Sequence, residues 1–249
     1  MNIKKNIPNT VTSMNLLCGV LGVIFTLKAR TDIAFPLMIA ASVFDFLDGF
    51  TARLLKVYSE MGKELDSLSD LVSFGILPSL LLYETMVSKT EHETFLCYIP
   101  LLIAVFSALR LAKFNIDTRQ SFNFIGLATP ASAMICGSLA YFVNAEPESF
   151  LAEWSGGVIF IPVLSVILAT LMVSEIPMFS MKIKKDSSDY LTKMKRTAFF
   201  SVAAICMVIV AVLGQNWSLA VLLIFSCYVI MNLLFLFLKT PSKGIPSQQ

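Results

Sequence analysis

Long apolar runs recur along this chain and leave it few ways to fold. They cover approximately Val11–Leu27, Ile33–Leu55, Leu65–Val87, Phe95–Ala112, Pro130–Val143, Val158–Val173, Ala198–Leu213 and Leu219–Leu238. About 20 apolar residues in a helix cross a bilayer, and in lipid the backbone must satisfy its own hydrogen bonds. The runs therefore predict an all-α integral membrane protein, a polytopic bundle of about eight transmembrane helices, the fifth of them short. Composition agrees. The chain is 56% hydrophobic and 14% charged, whereas a globular protein carries about 25% charge. The partner this implies is the lipid bilayer. No nucleic acid is expected.

Lys and Arg orient the runs, since basic residues stay on the cytoplasmic side. With Lys4 and Lys5 in the cytoplasm and eight spans alternating, only Lys28, Arg30 and Lys89 of the nineteen basic residues fall outside. The outer loop with Glu146, Glu148 and Glu153 holds none. The expected location is the cell membrane, multi-pass, with both termini cytoplasmic. The first apolar run, after Met1 to Pro8, lacks a small-residue cleavage site and is read as a retained anchor. The basic loop Lys182–Arg196 reads as a stop signal, and Pro78 should kink the third span. Spans seven and eight, uncharged from Ala198 to Leu238, read as packing or dimer surface, and a homodimer is expected. The five cysteines fall singly in apolar runs and read as small buried hydrophobes. His92, the single histidine, lies in a polar loop and offers no zinc site or histidine base.

One polar stretch breaks the pattern: Phe44-Asp45-Phe46-Leu47-Asp48-Gly49-Phe50-Thr51-Ala52-Arg53, then eight residues, then Gly62-Lys63-Glu64-Leu65-Asp66-Ser67-Leu68-Ser69-Asp70. It reads D-x-x-D-G-x-x-A-R-x8-G-x3-D-x3-D. A charge near the bilayer centre costs about 2.5–3.5 kcal/mol, so such residues usually have a job. Asp45 and Asp48 share one helix face, as do Asp66 and Asp70. Two helices joined by a short turn around Gly62 would point four carboxylates at one another. Such a cluster repels itself without a counter-charge, and all-oxygen donors suit Mg²⁺, Mn²⁺ or Ca²⁺. Two divalent ions about 3.5–4 Å apart clamp the attacking and leaving oxygens of a phosphoryl displacement. The planar donors of Arg53 could neutralise diphosphate oxygens. One carboxylate would take the proton of an acceptor hydroxyl, and spacing does not say which.

The stretch resembles the signature of the CDP-alcohol phosphotransferase family, with every position filled. That family's members are integral membrane enzymes that move a phosphoryl-linked alcohol from a CDP carrier to an acceptor hydroxyl and release CMP. The resemblance implies two Mg²⁺ or Mn²⁺ ions. Asp45 and Asp66 would bridge both, Asp48 would complete the first, and Asp70 would bind the second and act as base. Gly49, Arg53 and Ser59 match positions that touch the CDP-alcohol, and Asn9 and Thr12 match positions beside the cytidine. Asn9 also reads as a helix cap.

Further on, Arg110-Leu111-Ala112-Lys113-Phe114-Asn115 and Gly126-Leu127-Ala128-Thr129-Pro130-Ala131 look like the branch of the family that takes serine. The resemblance covers roughly residues 7–135 and implies CDP-diacylglycerol and L-serine as substrates. Arg110 or Lys113 would receive the acceptor carboxylate, and Asn115 or Asp117 its ammonium. Glycerol 3-phosphate or an inositol phosphate are alternative acceptors, which call for more cations near the site. A divalent-cation transporter is the alternative from another class, but it predicts acids spread across the bilayer depth. The expected organisation is a catalytic core over 1–145, additional helices over 146–240 and a polar cytoplasmic tail over 241–249.

Overall fold

A computed structural model describes residues 3–57, 59–90, 93–117, 124–178 and 190–237. His92, most of the basic loop before Arg196 and the polar tail lie outside the described residues. The described residues are mostly helical: α1 (Ile3–Thr26), α2 (Thr31–Leu55), α3 (Glu60–Asp70), a π turn (Leu71–Ile76), α4 (Leu77–Lys89), a 3-10 turn (Phe95–Leu101), α5 (Leu102–Ile116), α6 (Thr129–Ala145), α7 (Phe150–Gly156), α8 (Phe160–Val173), α9 (Tyr190–Val212) and α10 (Trp217–Phe237). Among the described residues the sole sheet pairs β1 (Phe124–Ile125) antiparallel with β2 (Pro177–Met178).

Five segments are long and apolar enough to cross a membrane: Asn6–Thr26, Thr31–Leu55, Glu60–Lys89, Phe95–Ile116 and Trp217–Phe235. A sixth counts if α7 and α8, which meet at 88°, form one broken span. The protein is a multi-pass membrane protein by this measure, and the expected eight exceeds the five or six that length and composition support. The difference lies in α6, at 17 residues, and in the apolar part of α9, Arg196–Val212, both just short of the length counted. All ten residues from Ala131 to Ala140 are buried, so α6 presents no lipid face there and sits inside the bundle, between α4, α2 and α10. At 17 residues it rises about 25 Å. The outer helices show the opposite pattern, with Leu17, Val20 and Ile24 of α1 and Val163, Val166 and Ile167 of α8 exposed. Apolar faces of that extent are lipid-facing surfaces.

Hydroxyls enter this interior by bonding backward along their own helix. Thr26 donates to the Gly22 carbonyl at 2.9 Å, Thr85 to Leu81 at 2.7 Å and Ser165 to Ile161 at 2.7 Å. Beyond α4, Glu93 accepts from Tyr98 at 2.6 Å and Tyr83 at 2.8 Å, which holds its carboxyl below the usual carboxylate range.

Pro78 falls in the first turn of α4, directly after the π turn. The segment Glu60–Lys89 continues through it as one span. The Leu77 N–H there bonds the Val72 carbonyl, so the expected kink site coincides with a wide turn. It also separates Asp70, the last residue of α3, from the rod of α4.

Candidate active site

α1, α2 and α3 converge at one end of the bundle. α2 ends with Lys56 in the left-handed region (φ 53°), and α3 starts from Ser59, whose hydroxyl accepts the Gly62 N–H at 3.0 Å. The reversal therefore lies at Lys56–Ser59. Gly62, expected at the turn, lies instead in the first helical turn of α3. A Cβ there would meet Asn9 Oδ1 and Ser59 Oγ, each at 2.9 Å, so its role is close approach to α1.

This reversal brings the aspartates together. One carboxylate oxygen from each of Asp45, Asp48 and Asp66 lies within 4.8 Å of the others. Asp70 sits within electrostatic reach of all three. Asp48 is buried at 6% exposure, and Thr12 of α1, itself buried, lies against it. Asp48 Oδ2 and Asp66 Oδ1 are buried with no hydrogen-bond donor among the described residues. Buried carboxylate oxygens without donors are costly unless a cation compensates. The Asp cluster could bind ions, and its all-oxygen donors fit a hard divalent cation.

A cavity of about 220 Å³ opens beside the cluster. Asn9 and Thr12 of α1, Asp48 and Gly49 of α2, and Ser59 and Asp66 line it, with Ala52 and Lys63. A Cβ on Gly49 would meet nothing within 4 Å, so the hydrogen leaves volume that a side chain would occupy. Asn9 lies inside α1, which begins at Ile3 and runs through Pro8. It caps no helix end, and its carbonyl accepts from the Ser13 hydroxyl at 2.8 Å. Arg53 is exposed, one helical turn beyond Gly49, and does not line the cavity.

The end of α5 closes on the same carboxylates. Arg110 is buried at 7% exposure, lies within electrostatic reach of Asp70 and donates from Nη1 to Thr129 Oγ1 at 3.1 Å. The string around Thr129 has its own logic. Gly126 takes a φ of +78°, which favours glycine, and its N–H bonds the Ile176 carbonyl at 2.9 Å. Lys113 is paired with Glu175 at 3.6 Å. Asn115 donates to Ser67 Oγ at 2.9 Å, and its carbonyl accepts Lys63 Nζ at 2.9 Å, tying α5 to α3.

Sequence reasoning missed two residues. Asn15 of α1, with no exposed surface, donates from Nδ2 to Asp70 Oδ1 at 3.3 Å. The signal was present: Asn9, Thr12, Asn15, Gly19 and Gly22 step by three and four, a polar and small stripe on one face of an apolar helix. The second is Tyr228 of α10, buried and within electrostatic reach of Arg110. The expectation for α10 was packing or dimer surface, and nothing local in its sequence marks Tyr228, because its place depends on how α10 lies on α6.

A sequence model of CDP-alcohol phosphatidyltransferases matches residues 5–173. Among curated proteins, the chain is similar to the Mycobacterium leprae protein named CDP-diacylglycerol–serine O-phosphatidyltransferase. They are 34% identical over 183 residues, 70% of this chain and 58% of that one, so the chain spans little more than half of that relative's length. Proteins with the same name from Bacillus subtilis (36% over 138 residues; 55% of this chain, 77% of that one) and Methanocaldococcus jannaschii (32% over 170; 68% and 72%) are also similar.

Proposed function

The chain belongs to the CDP-alcohol phosphatidyltransferase family, and on that premise we propose that it transfers the phosphatidyl group of CDP-diacylglycerol to the hydroxyl of L-serine, releasing CMP. The observation that carries the reading is the meeting of four carboxylates, a cavity and a buried guanidinium at one end of the bundle. Asp45, Asp48, Asp66 and Asp70 would hold two divalent ions, Mg²⁺ or Mn²⁺. Bound there, such ions supply positive charge to the diphosphate and to the developing charge on the leaving group.

The protein's own groups do the rest. Asn9, Thr12, Gly49 and Ser59 shape the cavity for the cytidine end of the donor. Arg53, outside the cavity and on the same helix as Gly49, would meet diphosphate oxygens from the rim. Asp70 takes the serine hydroxyl proton. The hydroxyl oxygen then forms a bond to the phosphorus that carries diacylglycerol, and that phosphorus loses its bond to CMP. Arg110 would receive the serine carboxylate, a match between a planar fork and two oxygens. Lys113, already paired with Glu175, offers less to a phosphate-bearing acceptor, which favours serine over glycerol 3-phosphate. Asn115 ties helices together and is better placed to hold the frame than to read the acceptor. The distribution of Lys and Arg supports a site facing the cytoplasm from the cell membrane.

The test is purified protein with CDP-diacylglycerol, each acceptor in turn and CMP release as readout. Serine with Mn²⁺ or Mg²⁺ should give the fastest release. Excess EDTA should abolish it, and added divalent metal should restore it. Full activity in EDTA would overturn the two-ion reading.

A further inference from the structure

Besides the carboxylate oxygens of Asp48 and Asp66, two polar atoms near Asp70 are buried and without partners among the described residues: Asn15 Oδ1, an acceptor, and Arg110 Nε, a donor. Asn15 is fully buried and Arg110 nearly so. Both already belong to the surroundings of one carboxylate, Asn15 through its hydrogen bond to Asp70 Oδ1 at 3.3 Å and Arg110 through its charge. Buried polar atoms without partners are destabilising. With the carboxylates assigned to the ions, the remaining unpaired acceptor and unpaired donor beside the base are matched by a ligand bearing both a cation and an anion.

Resting on the serine reading, we propose that Asn15 determines acceptor specificity by receiving the acceptor's ammonium on Oδ1 while its Nδ2 holds Asp70 in position. The hydroxyl and the ammonium of serine stand on adjacent carbons. A group that reads the ammonium must therefore be a neighbour of the base that takes the hydroxyl proton, and Asn15 is hydrogen-bonded to that base. Arg110 takes the carboxylate. A phosphate-bearing acceptor would bring an anion toward the Asn15 carbonyl oxygen and meet repulsion there. Asn15 takes no proton at any step.

The amide is held on a rigid frame, which a specificity residue needs. The Asn15 backbone carbonyl accepts the Ser73 hydroxyl at 3.1 Å. One turn on, Gly19 packs so closely on Ser73 that a Cβ would overlap Ser73 Oγ. Asn15 is thereby pressed against the π turn that follows Asp70.

The experiment compares serine with 3-hydroxypropionate, which keeps the hydroxyl and carboxylate and lacks the ammonium. The readout is kcat/KM for CMP release at saturating CDP-diacylglycerol. In the unmodified protein serine should be favoured by about thirty-fold or more, the effect of one buried charge-assisted contact. In Asn15→Leu that preference should shrink to within a few-fold, because serine loses its ammonium contact and 3-hydroxypropionate has none to lose. Asn15→Ser, a smaller change whose hydroxyl reaches less far, should shrink it likewise and guards against a variant that does not fold. An unmodified protein that uses both acceptors equally, or variants in which both rates fall by the same factor, would overturn the assignment; the latter result would make Asn15 a support for Asp70 alone. A protein that uses glycerol 3-phosphate and neither of these acceptors would overturn the serine reading itself, and the assignment with it.

Discussion

Four aspartates of one signature do not stand in four equivalent places. Asp45, Asp48 and Asp66 face one another closely enough to share an ion, whereas Asp70 is tied to α1 through Asn15 and feels the charge of Arg110. Asp70→Asn should accordingly keep CDP-diacylglycerol binding and lose turnover by at least about a hundredfold, the usual share of a general base. Asp45→Asn and Asp66→Asn should in addition raise the metal concentration needed for half-maximal CMP release. Normal turnover in Asp70→Asn would assign the base elsewhere. Arg110→Ala should raise the serine requirement by about thirtyfold or more while leaving donor affinity nearly unchanged, with Arg110→Lys a partial rescue because a point charge replaces a fork. Serine titrations of CMP release would check this, and an unaltered serine dependence would remove Arg110 from the acceptor site.

Among the elements, α1 and the π turn do more than span lipid. The stripe from Asn9 to Gly22 lets α1 lie against α3 and the π turn at close range, with Gly19 on Ser73 and Gly22 on Leu77. That approach carries Thr12 to Asp48 and Asn15 to Asp70. Gly19→Val would force the two apart. The expected cost is about 1–3 kcal/mol, typical of overpacking, seen as a lowered midpoint of thermal unfolding in detergent and a drop in CMP release. A variant as stable and active as the parent would show that the contact yields freely. The stripe could be read from the sequence as spacing. Its partner could not, because Ser73 is opposite Gly19 only once the π turn has rotated that part of the segment.

For the whole molecule, the site lies at the end shared by α2, α3 and the close of α5, and the acidic loop after α6 belongs at the other end. Single cysteines at Glu60 and Glu148, in a protein whose own cysteines are replaced, should behave oppositely toward an impermeant maleimide. Glu148→Cys should react in intact cells, and Glu60→Cys only after permeabilisation. Reaction of Glu60→Cys in intact cells would invert the topology. The span count is bound up with this, since α6, α9 and the α7–α8 pair are the elements whose crossing is not decided by length.

Local pattern is enough to make this chain a helical membrane protein and to single out the four carboxylates that gather. Long apolar runs must be helices in lipid, and spacings of three and four fix a helix face whatever lies around it. Packing settles the rest: that α6 is the buried centre, that Lys113 is paired with Glu175, that Arg53 does not line the cavity, and that Asn15 and Tyr228 lie beside the carboxylates and Arg110. Those outcomes depend on which face of one helix meets which face of another. That choice is made between residues distant in the chain, such as Gly19 with Ser73 and Arg110 with Thr129, and no local pattern encodes it.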